Sequence, residues 1–307
     1  MLLSITPAPF ISYSPLVLPA PGRAVNLELK VSYPATGQHL PVILLSHGHG
    51  NSNDLSSLRG YGPLADFWAA NGFVVIQPTH LDSRALGLRD APGGPLYWRS
   101  RAEDMTHILD QLGVIEASVP GLAGRLDHSR VAAAGHSLGG QTVALLLGMR
   151  VTDDGTPVNL ADARIGAGVL LAAPGGGADL SAAAAQRYPV LHHNSFAEMT
   201  TPALIVAGDQ DLNPAFSSRA DWRSDAYSLS PGPKFLLTLF GAEHGLGGVA
   251  GYDAAETTDA NSERVALIQR LTWAYLRSAL YPEDRAWDVA RAALEASAEP
   301  LGRVEGK

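Results

Sequence analysis

Residues 131–149, VAAAGHSLGGQTVALLLGM, limit what this chain can fold into more than any other stretch. The short apolar run 131–134 predicts a buried strand, and the run 141–149 predicts a buried helix. Between them, Gly135-His136-Ser137-Leu138-Gly139 matches the pattern G-x-S-x-G. Its glycines permit a tight reversal that forces the serine into a strained backbone conformation with its hydroxyl exposed. Strand, sharp turn and helix together favour a nucleophile elbow over a plain linking loop.

The length of the chain is ordinary for one α/β domain. It has 307 residues, of which 46% are hydrophobic, so a single large core is feasible. We find no internal repeat, no low-complexity linker and no insertion long enough to form a cap domain. We therefore predict one domain over 1–307, with N-terminal edge strands in 1–35 and a C-terminal helix and tail in 283–307.

Composition excludes several function classes. The formal net charge is −8 and the chain has no run of Lys and Arg, which disfavours a nucleic-acid or anionic-membrane surface. Cysteine is absent, so disulfides, a thiol nucleophile and a thiolate metal site are excluded. No Lys or Arg precedes Arg23, and Pro7 and Pro9 interrupt the first apolar run, so we expect neither a signal peptide nor a transmembrane helix. A cytoplasmic location and secretion with a signal removed both remain open, as does the oligomeric state.

Apolar patterning predicts alternating strands and helices. The segments 11–18 and 24–33 alternate apolar and polar residues, with Val25, Leu27, Leu29 and Val31 on one face, and predict an antiparallel edge hairpin. Further strands are predicted at 41–46, 73–76, 131–134, 166–172, 202–208 and, as the last strand, 234–240. Helices are predicted at 56–71, 99–112, 141–149, 182–185, 262–280 and 283–296. Such alternation implies right-handed parallel crossovers in an α/β protein with a mostly parallel central sheet and helices on both faces.

Residues able to do acyl-transfer chemistry follow four of these strands. The strand ends carry His47-Gly-His-Gly, Ser137, Asp211 and His244, and ligands of open parallel sheets bind at the carboxyl ends of strands. A serine nucleophile needs a histidine to take its proton, and a carboxylate to orient the histidine. The chain order Ser, Asp, His is that of the α/β-hydrolase triad. We therefore predict Ser137 as nucleophile, His244 as general base and Asp211 as the acid.

The acid has two competitors. Asp209 lies two residues before Asp211, and Asp179 follows the preceding strand. Gly208-Asp-Gln-Asp211 resembles the G-x-x-D pattern in which the second carboxylate acts, so Asp211 is favoured and Asp209 is expected to be a turn or capping residue. All three carboxylates stay open at this point.

An oxyanion hole is also required, because the carbonyl oxygen becomes negative in the tetrahedral intermediate. The N–H of Leu138 is one predicted donor, at the start of a helix whose dipole favours an anion. The second donor should come from the loop after the strand 41–46. Gly48 permits a close turn there, so the N–H of His49 is predicted as this donor, with its side chain lining the pocket.

Other candidates are less specific. His136, Trp98, Phe216 and Trp222 are candidate substrate-pocket residues. His80 and Asp82 lie on the same rim and could equally hold loops together. An acidic stretch, Asp253, Glu256 and Asp259, lacks the ligand spacing of a calcium loop and is interpreted as a solvated face.

A catalytic metal at His47 and His49 is a rival interpretation of the same loop. An H-x-H-x-D-H motif would need Asp and His at positions where this chain has Asn51 and Ser52. The motif fails at these two positions, so no metal and no cofactor are predicted.

Four motifs stand out together, which are Ser46-His-Gly-His-Gly, the helix from Arg101-Ala-Glu-Asp-Met to Leu112, Leu126-Asp-His-Ser-Arg-Val131 leading into GHSLGG, and Ala207-Gly-Asp-Gln-Asp211. In these motifs, and over roughly residues 40–280, the chain resembles the dienelactone-hydrolase-like and platelet-activating-factor-acetylhydrolase-like branch of the α/β-hydrolases, and plant chlorophyllases. Cutinase-type polyester hydrolases share this layout, but they typically carry G-W-S-M-G at the elbow. Dienelactone hydrolases proper use cysteine where this chain has Ser137.

The resemblance implies an α/β-hydrolase fold without a large cap domain and a cofactor-free serine carboxylic ester hydrolase. An uncapped cleft suits small-molecule as well as bulky or polymeric ester substrates. Two alternatives remain, which are a catalytically silent binding module on the same scaffold and thioesterase or perhydrolase chemistry on the same triad.

Overall fold

A computed structural model describes residues 7–251 and 254–307. It is a mixed α/β structure in which helices flank both faces of a nine-stranded sheet of order β1-β2-β4-β3-β5-β8-β9-β10-β11. The strands of this sheet are β1 Phe10–Leu18, β2 Leu27–Pro34, β3 Leu40–Ser46, β4 Val74–Pro78, β5 Leu126–His136, β8 Ile165–Leu171, β9 Ala203–Gly208, β10 Lys234–Leu239 and β11 Gly302–Gly306, with a separate hairpin of β6 Val151–Asp153 and β7 Thr156–Val158. The α-helices are α1 Gly62–Ala70, α2 Trp98–Asp110, α3 Leu112–Ser118, α4 Leu138–Leu146, α5 Ala182–Arg187, α6 Pro189–His192, α7 Asp225–Ser228, α8 Ser262–Leu280 and α9 Ala286–Glu295.

Six neighbouring strands, from β4 through β3, β5, β8 and β9 to β10, run parallel, as the alternating pattern predicts. Every residue of β3 is buried because both faces of the sheet are covered. Val42 and Leu44 pack into the core on the face of α2 and α4, whereas Ile43 and Leu45 pack on the face of α1 and α8. The continuous apolar runs follow from this double burial.

The two edges of the sheet are antiparallel. The predicted N-terminal hairpin is confirmed, since β1 pairs with β2 at one edge. The placement of Val25 is wrong, because the chain is still turning before β2 and Val25 is 38% exposed. At the other edge β11 pairs with β10, so 234–240 is not the last strand and the predicted tail ends in the sheet.

Helix boundaries differ from the predictions where turns intervene. The predicted helix 56–71 begins only at Gly62, since residues 51–61 form turns. The predicted helix 99–112 corresponds to α2, which ends at Asp110, and a further helix, α3, begins at Leu112. In contrast, α8 has the predicted bounds. Among the described residues, no helix is both long and apolar enough to cross a bilayer.

Candidate active site

Ser137 lies in a strained turn between β5 and α4. Its φ of 54° and ψ of −121° form a conformation that non-glycine residues rarely adopt. A Cβ at Gly135 would lie 2.2 Å from the carbonyl oxygen of Gly139, and a Cβ at Gly139 would lie 2.1 Å from that of Ser46. Only glycine fits at both positions, so the pattern G-x-S-x-G follows from how closely the chain folds back on itself.

A chain of hydrogen bonds joins the three predicted catalytic residues. His244 Nε2 lies 2.9 Å from Ser137 Oγ, and His244 Nδ1 lies 2.8 Å from Asp211 Oδ2. Since an ionised carboxylate only accepts, Nδ1–H donates to Asp211. The lone pair of Nε2 then faces the serine hydroxyl, which is the arrangement that a general base requires.

The two competing carboxylates bond elsewhere. Asp209 Oδ1 accepts the N–H of Gly241 at 2.7 Å, as expected of a turn residue. Asp179 is 43% exposed and lies 2.5 Å from the guanidinium of Arg219. Asp211 is therefore the candidate acid whose carboxylate reaches His244.

Arg223 is a buried cation beside this acid, and sequence reasoning missed it. Its Nε lies 3.2 Å from Asp211 Oδ2, as an ion pair whose N–H is not aligned for a hydrogen bond. Burial alone would raise the pKa of Asp211, but the hydrogen bond from His244 and the charge of Arg223 hold that pKa below its ordinary value. Nothing in the spacing marks this arginine, which directly follows the candidate pocket residue Trp222.

The pKa of His244 is lowered, first by burial of the ring and then by the charge of Arg223, against the raising effect of Asp211. Because 36% of the His244 side chain reaches solvent, water reduces the contribution of burial. Arg223 acts in the same direction, so His244 is neutral and able to accept a proton at neutral pH.

His136 is an interior residue and not a pocket wall, which corrects the prediction. Tyr61 Oη accepts the N–H of Gly48 at 2.9 Å and donates to His136 Nδ1 at 2.9 Å. His136 Nε2–H donates to the backbone carbonyl of His244 at 2.8 Å. Burial lowers the pKa of His136 to about 3, so the ring is neutral, with its proton on Nε2.

Both predicted oxyanion donors lie where the loop after β3 meets the elbow at Ser137. Leu138 is the first residue of α4, so its N–H has no partner within the helix. The β3 loop, residues 47–52, packs on the elbow, since a Cβ at Gly48 would come within 3.3 Å of the His136 carbonyl. Among the described residues, no acceptor takes the N–H of His49.

A buried ion pair between Asp82 and Arg101 supports the β3 loop. Asp82 accepts from the Arg101 guanidinium and lies 3.0 Å from Nδ1 of His49, whose side chain is 24% exposed. Arg101 also donates to the carbonyl of His47. Burial would raise the pKa of Asp82, but the charge of Arg101 and the hydrogen bond from His49 hold it well below its ordinary value. Of the two roles considered for Asp82, the structure shows the loop-holding one.

His80 belongs to the same support. It is buried, with Nε2 at 2.9 Å from Ser46 Oγ and Nδ1 at 2.8 Å from Asp104 Oδ2. Asp104 in turn accepts from Nε of Arg23 at 2.8 Å. These bonds tie the end of β3 to α2 and to the turn before β2.

The aromatic candidates separate into two groups. Phe216 and Trp222 stack with centroids 6.4 Å apart, on the loop after β9 that carries Asp211. Trp222 is buried and donates to the carbonyl of Gly176 at 2.9 Å. Trp98 instead begins α2 and lines a separate groove of about 780 Å³, whose lining includes none of Ser137, His244 and Asp211. That Trp98 also lines the substrate pocket stays a prediction.

The acidic stretch is not a solvated face. Glu256 accepts the N–H groups of Asn51 and Ser52, and Asp259 accepts those of Glu243 and Gly247. The pattern could not show this, because a carboxylate that binds backbone N–H groups and one that faces water have the same sequence signature. Asp253 lies outside the described residues.

Metal-ligating side chains do not cluster in the part of the chain that the structure describes, where no group of three or more His, Cys, Asp or Glu residues could hold an ion. His47 Nε2 accepts the N–H of His80 at 3.0 Å, and His49 is bonded to Asp82. Both histidines of the rival metal motif are thus engaged within the protein.

No protein-family model matches the chain, and no curated protein matches it significantly.

Proposed function

We propose that this protein is a serine carboxylic ester hydrolase with an α/β-hydrolase fold. The observation that carries the proposal is the hydrogen-bonded chain from Ser137 Oγ through His244 to Asp211 on a strained turn between a parallel strand and a helix. The strained turn keeps the hydroxyl of Ser137 exposed, and the carboxylate of Asp211 fixes the tautomer of the His244 imidazole. Together they supply the nucleophile and base that acyl transfer needs.

The first half of the reaction forms an acyl-enzyme. Ser137 Oγ attacks the ester carbonyl carbon while its proton passes to His244 Nε2, and the carbonyl oxygen becomes an oxyanion held by the N–H groups of Leu138 and His49. As the intermediate collapses, the bond from carbon to the alcohol oxygen breaks. His244 then returns its proton to the leaving alcohol.

The second half reverses these roles with water. His244 takes a proton from water, whose oxygen attacks the acyl carbon. The bond from carbon to Ser137 Oγ breaks, the proton returns to the serine, and the carboxylic acid leaves. Asp211 stabilises the imidazolium in both halves and stays ionised, as its lowered pKa allows.

The test compares the protein with Ser137→Ala. The parent chain should hydrolyse short-chain p-nitrophenyl esters and be labelled on Ser137 by a fluorophosphonate, whereas the variant should do neither and keep the parent melting temperature. Turnover retained by the variant would contradict the proposal. A parent chain with neither turnover nor label would instead indicate a silent binding module.

A panel of substrates narrows the ester class. Esters graded by acyl length, a solid polyester and a thioester should be compared at equal enzyme concentration. We propose that small-molecule and polymeric esters are the substrate range. Faster turnover of the thioester would move the assignment to thioesterase chemistry on the same three residues.

A further inference from the structure

One short segment is hydrogen-bonded both to the β3 loop and to the loop that carries His244. The anchor segment, residues 254–261, lies between the loop of His244 and α8. Glu256 Oε1 accepts the N–H groups of Asn51 at 2.6 Å and Ser52 at 2.8 Å, and Glu256 Oε2 accepts from Ser52 Oγ at 2.5 Å. Ser52 Oγ also accepts the N–H of Ala255 at 2.9 Å. The β3 loop is thereby fastened to the anchor segment by four hydrogen bonds.

Asp259 fastens the other loop. Its Oδ2 accepts the N–H groups of Glu243 at 2.9 Å and Gly247 at 3.0 Å, which lie on either side of His244. Arg264 donates to the same oxygen at 3.1 Å. Two carboxylates three residues apart thus hold the loop of the proposed base and the loop of the proposed oxyanion donor.

Cations hold the opposite side of the β3 loop. The guanidinium of Arg89 donates to the carbonyl of Gly50, and that of Arg84 donates to the carbonyl of Asn51. The peptide groups around Gly50 therefore have an anion at their N–H side and cations at their carbonyl side. A Cβ at Gly50 would lie 2.8 Å from Glu256 Oε1, so the carboxylate sits directly against this backbone.

The β3 loop depends on such contacts for its position, because residues 47–52 form no helix or strand. In this loop, the N–H of His49 lies two residues before that of Asn51, which is the first N–H group that Glu256 binds. An oxyanion donor acts only when it is preorganised at hydrogen-bonding distance from the developing charge, and displacements of about 1 Å are enough to lose much of its effect.

We propose that Glu256 is a positioning residue, which sets the N–H of His49 in the oxyanion hole relative to Ser137 and His244. This inference rests on the proposed function. Glu256 acts through the backbone of the β3 loop and does not touch the reacting atoms. Its effect should therefore appear in the transition state, where the oxyanion exists, and not in binding of the neutral ester.

The experiment compares Glu256→Ala, Glu256→Gln and Ser52→Ala with the parent chain on one p-nitrophenyl ester. We expect kcat to fall about 10- to 100-fold in Glu256→Ala, since loss of one oxyanion donor typically costs 10²–10³. KM should stay within about threefold. Glu256→Gln keeps one acceptor oxygen and should recover part of the rate, and Ser52→Ala should have the smallest effect. Glu295→Gln removes an equal charge at the end of α9 and should match the parent.

A trifluoromethyl ketone provides the second readout, because it forms an anionic tetrahedral adduct with a serine nucleophile. Its inhibition constant should rise by the same factor by which kcat/KM falls in each variant. The pH at which kcat/KM is half-maximal should not move in the Glu256 variants. Asp259→Asn should move it instead, because the charge of Asp259 raises the pKa of His244.

Three outcomes would overturn the positioning role. They are a kcat within twofold of the parent in Glu256→Ala, a loss confined to KM, and an unchanged inhibition constant for the ketone. Should Glu256→Ala fail to fold, the milder Glu256→Gln variant decides by the same criteria. Absence of turnover and of fluorophosphonate labelling in the parent would overturn the proposed hydrolase instead, so the two failures are distinguishable.

Discussion

The imidazole of His136 donates its Nε2–H to the backbone carbonyl of His244 at 2.8 Å. His136, which directly precedes the proposed nucleophile Ser137, thus also fixes the backbone of the proposed base His244. Its Nδ1 at the same time accepts from the Tyr61 hydroxyl, and this second hydrogen bond requires the neutral ring. The geometry around the proposed base therefore depends on a histidine that is kept uncharged by burial.

This neutral histidine makes stability depend on pH. The pKa of His136 is lowered to about 3 by burial, whereas an unfolded chain has the ordinary value near 6.5. Between these values the unfolded state binds more protons than the folded state. Protonation of the unfolded chain therefore costs the folded protein nothing above about pH 6.5, and the folded protein loses stability as the pH falls from there toward 3. We expect the free energy of unfolding, from urea titrations, to fall over this range, with His136 contributing up to about 1.4 kcal/mol per pH unit.

His136→Phe isolates this contribution. It keeps a ring but leaves the Tyr61 hydroxyl and the His244 carbonyl without their partner, which should cost about 1–3 kcal/mol at pH 7. Its free energy of unfolding should depend less on pH than that of the parent chain. Equal slopes would show that His136 is not a source of the acid sensitivity. His47 and His80, whose pKa values burial also lowers, should keep part of the slope in both proteins.

Arg223 should set the acid limit of activity. Its charge lowers the pKa of His244, so replacing it by Met should raise that pKa and move the acid limb of the kcat/KM profile to higher pH. Arg219→Met is the matched control, because Arg219 belongs to the same loop but pairs with Asp179, Asp221 and Asp225. Identical acid limbs in the parent and Arg223→Met would refute the electrostatic role.

The choice of acid can be tested by two isosteric changes. Asp211→Asn removes the carboxylate that fixes the tautomer of His244 and should lower kcat by a factor on the order of 10³–10⁴. Asp209→Asn only weakens a bond to the N–H of Gly241 and should keep kcat within about threefold. Initial rates on one p-nitrophenyl ester suffice. A large loss in Asp209→Asn with little loss in Asp211→Asn would reverse the assignment.

The elbow should tolerate no side chain at Gly139. A Cβ there would lie 2.1 Å from the backbone carbonyl of Ser46, which cannot move without displacing β3. Gly139→Ala should therefore destabilise the fold by more than about 3 kcal/mol or prevent folding. Gly113→Ala is the control, because a Cβ at this position in α3 meets nothing within 4 Å and should add about 0.5–1 kcal/mol. Thermal unfolding of both variants provides the comparison.

Much of the fold is predictable from the sequence because doubly covered parallel strands must be apolar throughout. The strands around β3 and β5 and the elbow follow from this requirement and from the glycines at 135 and 139. β11 does not, because it is five residues long, lies at an edge and carries Arg303 and Glu305. The late start of α1 escapes prediction because its upstream turns contain apolar residues such as Leu58.

For the candidate site, the sequence indicates the residue types at strand ends but not what supports them. Ser137, Asp211 and His244 could be selected because each follows a predicted strand. Arg223 and Glu256 could not, since their roles depend on partners that only the folded chain brings together. A buried arginine and a backbone-binding glutamate look like ordinary surface charges in the sequence.

The long reach of these contacts has a consequence for any shortened form of the protein. His244 and Ser137 are 107 residues apart, and Glu256 and Ser52 are 204 residues apart. Five of the nine strands of the sheet lie between Ser52 and Glu256 along the chain, among them β5 at its centre. A proteolytic fragment that lacks either end of the span from Ser52 to Glu256 lacks part of the site, however well its remaining helices persist. The site therefore depends on the assembled sheet, and no piece of the chain that ends within the span from Ser52 to Glu256 can carry it.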